Sequence, residues 1–102
     1  MQEELVNLEL FSQADLEKQS SEYELMKKYF PHKVSHFIGL DTHDVGTADT
    51  VFEDGMLLSC EPGIYISEEN IGIRIETMML VSATPVDLME DVPVSLEDIV
   101  KK

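Results

Sequence analysis

Apolar and polar residues separate most cleanly between Gly55 and Val81. Ile71, Ile73 and Ile75 alternate with Gly72, Arg74 and Glu76, the period-two signature of a strand. Upstream, Met56, Leu58, Cys60, Ile64 and Ile66 fall on one side of a second alternating run, and Ser67-Glu68-Glu69-Asn70 between them reads as a polar turn. A hairpin symmetric about that turn pairs Ile66 with Ile71, Ile64 with Ile73, Cys60 with Thr77, Leu58 with Met79 and Met56 with Val81. One continuous apolar face results, and a slip of one residue would destroy it. On the other face the same register sets Glu61 directly against Glu76, with Arg74 two residues along. Like charges facing each other in a sheet are destabilising, so something positive is expected between them.

Residues 1–30 read as short helices. Leu5, Leu8 and Leu10 form a small apolar face, and Ser12 to Gln19 supplies a further turn or two. Ser21-Glu22-Tyr23-Glu24 has the form of a capping box, opening a helix whose Leu25, Met26 and Tyr29 face a core. Pro31 biases Phe30 away from helical angles and stops that helix, and Lys27 and Lys28 suit its negative end. Residues 32–54 hold all three histidines among extended segments and loops, with Gly39 and Gly46 as turn points. After Val81, Pro85, Pro93 and scattered acidic residues read as packing or solvated surface, with a short capped turn at Ser95 to Val100. The expected arrangement is one partial domain: residues 1–30 helical, 32–81 sheet, 82–102 a tail. Its class is α+β, with helices packed on one face of a curved antiparallel sheet.

The 102 residues suit one small domain. With 21 acidic against 7 basic residues the formal net charge is −14, which disfavours nucleic acid and anionic lipid as partners. No apolar run approaches the roughly 20 residues of a membrane span, the acidic start is unlike a signal peptide, and a lone Cys60 forbids an internal disulfide. The cytoplasm is the default location on these grounds. Cys60 falls on the apolar face and is expected to act as a small buried hydrophobe.

Chemistry concentrates in His32, His36, His43, Asp41, Asp44, Glu61, Arg74 and Glu76. A single glutamate in a strand is more often solvated than ligating. Three histidines within twelve positions, beside two opposed glutamates, instead suit a borderline divalent metal. Asp41 and Asp44 read as loop stabilisers or acceptors for histidine N–H groups. Arg74 is expected to touch Glu76.

The run KYFPHKVSHFIGLDTHDVG (28–46) resembles the histidine motif of the proline-specific pita-bread metallopeptidases of the M24 type. GMLLSCEPGIYI (55–66) and GIRIE (72–76) are similar to that family's two glutamate motifs, in the same order. The likeness extends upstream through Glu4, Leu8, Asp15, Gln19 and Tyr29, and is nearest to the aminopeptidase P (Xaa-Pro aminopeptidase) branch. It implies the C-terminal half of a pita-bread, creatinase/aminopeptidase-like domain. It also implies release of an N-terminal residue from peptides with proline second, and two divalent ions, usually manganese, with cobalt or zinc as alternatives. By motif position the metal ligands are His36, Glu61 and Glu76. Glu61 also handles the proton of the attacking water, His32 and His43 line the substrate pocket, and Arg74 sits behind the metals.

Two departures accompany the likeness. Lys33 stands where the family usually has glycine, between the two pocket histidines. The family's two aspartate ligands lie upstream of the histidine motif, and here the only aspartate before His32 is Asp15, in a helical context. Three of five ligands are therefore expected, with one weakly held ion, an isolated chain inactive or nearly so, and a missing N-terminal half and homo-oligomerisation as partner expectations. A prolidase-type dipeptidase, a non-catalytic peptide-binding module on the same fold, and an incomplete gene reading or excised domain are the alternatives.

Overall fold

The backbone ladder in the computed structural model follows the hairpin register expected from the alternation. The model describes residues 1–21 and 23–101. Strands β1 (Phe37–Ile38), β2 (Leu57–Cys60), β3 (Gly63–Ile66), β4 (Ile71–Arg74), β5 (Thr77–Leu80) and β6 (Val86–Asp87) are joined by helices α1 (Gln2–Asn7), α2 (Gln13–Lys18), α3 (Glu24–Tyr29) and α4 (Leu96–Val100). β2 pairs antiparallel with β5, with Leu58 against Met79 and Cys60 against Thr77. Val81 N–H to the Met56 carbonyl (2.8 Å) continues the ladder at one end, and Ile75 N–H to the Pro62 carbonyl (3.3 Å) at the other.

The expected single long hairpin is nonetheless two sheets: four strands in the order β1-β2-β5-β6, and a separate pair β3-β4. The break falls at Glu61-Pro62 opposite Ile75-Glu76. Pro62 has no N–H to donate, so the rung it shares with Ile75 keeps one bond where a regular pair would have two. The chain's contacts divide at the same place into two units, Met1–His32 with Gly63–Ile73 and Lys33–Pro62 with Arg74–Lys102.

In the first unit the core is Leu5, Phe11 and Tyr29, with Leu10, Leu25, Met26, Ile64 and Ile66 packed around it. Phe11 and Tyr29 stack at 5.9 Å, and the Tyr29 hydroxyl donates to the Leu10 carbonyl at 3.2 Å. α3 lies against β3. The other half of the expected apolar face is not buried: Ile71 and Ile73 on β4 are exposed, Ile73 by 64%. Leu8 is likewise exposed, whereas Leu5 is completely buried. Asn70, in the left-handed region at φ 56°, ends the single 3-10 turn Ser67–Glu69 between β3 and β4. Asparagine tolerates that conformation better than most residues.

The capping boxes differ from expectation in position. A full box closes on α2, where the Ser12 hydroxyl accepts from Asp15 N–H (3.2 Å) and the Asp15 carboxylate accepts from Ser12 N–H (2.9 Å). The Ser12 hydroxyl, donating to the Asp15 carboxylate at 2.6 Å, and then the Ser12 N–H hold that carboxyl below its ordinary value. α3 begins at Glu24, after Tyr23 in the left-handed region, and the Glu24 carboxylate accepts from the backbone and hydroxyl of Ser20. The Glu22 position of the box expected from Ser21 lies outside the described residues. The C-terminal turn forms as expected, with the Ser95 hydroxyl accepting from Asp98 N–H.

In the second unit β6 was not foreseen. It adds to β5 through Met79–Asp87 and Leu80–Val86 pairs. The Thr77 hydroxyl and Met89 N–H donate to the Asp87 carboxylate and hold its pKa below the usual aspartate range. Cys60 is half-buried rather than buried. Among the described residues no helix is long and apolar enough to cross a membrane.

Leu5 makes the first unit testable. Leu5→Ala removes a fully buried side chain and is expected to cost about 2–5 kcal/mol, read as a lower urea midpoint by circular dichroism.

Candidate metal centre

Three adjacent strands bring the candidate ligands to one level of the second unit. β1 pairs with β2 through Phe37–Leu58 and Ile38–Leu57. Ser59 N–H donates to the His36 carbonyl (2.9 Å) and Glu61 N–H to the Val34 carbonyl (2.8 Å), so the pairing runs on past β1. His36 is thereby opposite Ser59, while Glu61 and Glu76 end β2 and precede β5. Alternation puts His36, Ser59, Glu61 and Glu76 on the same face.

His36, Glu61 and Glu76 each offer a ligand atom, and those atoms lie within 4.8 Å of one another. His36 Nε2 is 3.0 Å from Glu61 Oε1, with both side chains largely buried (21% and 13% exposed). His36 Nδ1 is 3.0 Å from the Phe37 carbonyl oxygen. A carbonyl only accepts, so Nδ1 carries the proton and Nε2 is the nitrogen that faces the carboxylate. Glu61 Oε1 also accepts from the Ser59 hydroxyl at 3.0 Å, and Oε2 is 3.9 Å from an Arg74 guanidinium nitrogen. Arg74 was expected on Glu76. It reaches Glu61 instead, diagonally across the strand pair, a distance a long side chain spans.

The loop after β1 folds back through Asp44 N–H to the Phe37 carbonyl (3.0 Å), and the His43 ring then lies 4.4 Å from that of His36. Asp44 acts as the loop stabiliser it was read to be, accepting from Val45 N–H at 2.9 Å. Asp41 contributes its backbone carbonyl to Gly39 N–H. A cavity of about 280 Å3 lies beside His36, walled by Phe37, Phe52 and Leu58 and lined also by Lys33 and Asp44. Lys33 thus borders this cavity. His32 belongs to the first unit, where its Nε2 and the Tyr65 hydroxyl share a hydrogen bond of 2.8 Å and its ring meets Phe30 edge-on.

The sequence profile of metallopeptidase family M24 matches residues 5–83. The chain belongs to that family. It is 33% identical to human Xaa-Pro aminopeptidase 3 over 94 residues, 80% of this chain and 18% of that protein. It is 39% identical to the Escherichia coli Xaa-Pro aminopeptidase over 70 residues, 57% of this chain and 16% of that protein. A solved structure from Bacillus anthracis, named for aminopeptidase P, matches 95% of this chain and 22% of its own, with a TM-score of 0.78 and 44% identity. The α+β, pita-bread expectation is borne out by that likeness. The chain spans less than a quarter of the length of each of these relatives.

M24 membership implies divalent metal ions, and the donors present fit one. An imidazole nitrogen with its far side fixed on a carbonyl, plus two carboxylates at one level, is a borderline-metal donor set. A cation there would also relieve the facing of Glu61 and Glu76. Ser59 is the residue that reading the sequence missed. Its signal was present, since it stands two positions before Glu61 and therefore on the glutamate face of a strand whose other face is apolar.

Gly46 supports the loop that carries His43. Its φ is 154°, and a Cβ there would lie 2.1 Å from a Phe37 ring carbon. Gly46→Ala is expected to push Phe37 aside at about 1–3 kcal/mol, seen as a lower thermal midpoint together with shifted ring resonances of Phe37 and His36.

Proposed function

We propose that this chain contributes the imidazole and two carboxylates of a metal centre in an Xaa-Pro aminopeptidase, which releases the first residue of peptides with proline second. The observation that carries the proposal is the convergence of His36, Glu61 and Glu76 within 4.8 Å. The names of the relatives support the substrate class. Manganese is the proposed ion, and two further carboxylates from another segment would complete a two-ion centre. When bound, such ions polarise a peptide carbonyl and acidify water.

The chain's own groups have distinct tasks in this reading. His36 presents Nε2 as a donor because Phe37 holds its Nδ1 proton. Glu61, the better buried carboxylate, takes a proton from the attacking water, and the Arg74 guanidinium stands 3.9 Å from its Oε2. His43, its ring tilted by 60° against that of His36, offers an N–H to the oxyanion that develops on the scissile carbonyl. His32 is proposed to hold substrate on the strength of its motif position.

Manganese titration followed by the paramagnetic resonance of the free ion tests this directly. The 102-residue chain is expected to take up one ion, weakly, with little or no turnover of an Xaa-Pro peptide. Glu76→Gln is expected to weaken uptake by more than about tenfold; unchanged uptake in the variant would remove Glu76 from the centre.

A further inference from the structure

Ser59 is the one buried polar side chain among the described residues, 2% exposed in the middle of β2. A hydroxyl removed from water must be satisfied within the protein, and this one is satisfied twice. Its oxygen accepts from the backbone N–H of His36 at 2.9 Å and donates its proton to Glu61 Oε1 at 3.0 Å. The same Oε1 faces His36 Nε2 at 3.0 Å. One atom therefore ties the main chain of one candidate ligand to the carboxylate of another.

A glutamate side chain has three rotatable bonds, and burial alone does not choose the direction of its oxygens. The Ser59 proton fixes Oε1 toward His36, which leaves Oε2 on the Arg74 side. The Ser59 lone pair simultaneously anchors His36, one residue beyond the short strand β1. Both tasks require a group that donates and accepts at once on a one-carbon stem. Serine and threonine supply it, cysteine does so weakly, and alanine does not.

We infer that Ser59 is a positioning residue of the metal centre, setting the angle of the Glu61 carboxylate and the place of His36 without itself touching ion or substrate. The inference rests on the metal reading of His36, Glu61 and Glu76. Losing a hydrogen bond that orients a metal-binding side chain lowers metal affinity by about 10–100-fold.

Cobalt titration of the full chain, followed by its visible absorption, provides the test, with unfolding midpoints of the metal-free proteins recorded in parallel. Ser59→Ala is expected to bind cobalt about 10–100-fold more weakly, with a changed absorption band. Ser59→Thr, which keeps the hydroxyl, is expected to restore both affinity and band. Should Ser59→Ala fail to fold, Ser59→Cys takes its place and is expected to fall between the two. Wild-type affinity in Ser59→Ala or Ser59→Cys overturns the inference, and so does equal loss in Ser59→Thr, because packing would then explain the effect. If the unmodified chain takes up no cobalt, the metal reading itself falls and the inference with it. Uptake by the unmodified chain with no change in Ser59→Ala removes Ser59 alone.

Discussion

Two carboxylates are held at facing ends of neighbouring strands, and most of what surrounds them answers the cost of that arrangement. Glu61 and Glu76 cannot move apart by a one-residue slip, because Leu58 and Met79 on the opposite face would then turn to the polar side. The repulsion is met locally instead. Glu61 receives the Ser59 hydroxyl, the Arg74 guanidinium and the His36 ring, while Glu76 stays exposed, where water screens its charge. The Ser59 hydroxyl proton and the Arg74 guanidinium thus set positive charge, partial and full, beside Glu61.

The interruption at Pro62 has the same logic seen from the backbone. A proline in a paired strand forfeits a ladder bond, and here it does so one residue after Glu61. The sheet of β2 and β5 ends there, and Glu61 and Glu76 stand at that end. Ile75 N–H on the Pro62 carbonyl preserves the alignment across the gap. The strands are therefore released from regular pairing without losing their register, so Glu76 still arrives at the level of Glu61.

What could be read in the sequence follows from how much local signal each element carries. The β2–β5 pairing was legible because several alternating residues flank a polar turn on both sides, and no other register aligns them. Strands β1 and β6 were not, since two residues give no period; they exist because β2 and β5 offer them edges. For that reason the meeting of Glu61 and Glu76 followed from register, whereas the approach of His36 followed from motif resemblance alone. The exposure of Ile71 and Ile73 shows the limit of alternation, which tells which residues share a face but not whether anything covers it. The cap at Ser12 was within reach, because Asp15 three residues on completes the same reciprocal pattern as glutamine or glutamate would. Ser59 was missed because a serine in a strand reads as ordinary polar surface until its burial is known.

The three donors owe their proximity to main-chain pairing rather than to long side chains reaching from loops. His36, Glu61 and Glu76 each adjoin a strand of one antiparallel ladder, and their common level is set by the bonds between β1, β2 and β5. A cation bound by all three would therefore bind only the paired form of these strands. Binding restricted to one form stabilises that form by mass action, so the ion and the sheet would support each other. The reverse also holds: loosening β1, which contributes two residues to the ladder, would displace His36 and weaken such binding. Ser59 opposes that loosening, since it bonds the His36 main chain from the neighbouring strand by both its backbone N–H and its hydroxyl. Its hydroxyl also reaches Glu61, so the hold on the His36 main chain and the direction of the Glu61 carboxylate depend on one side chain.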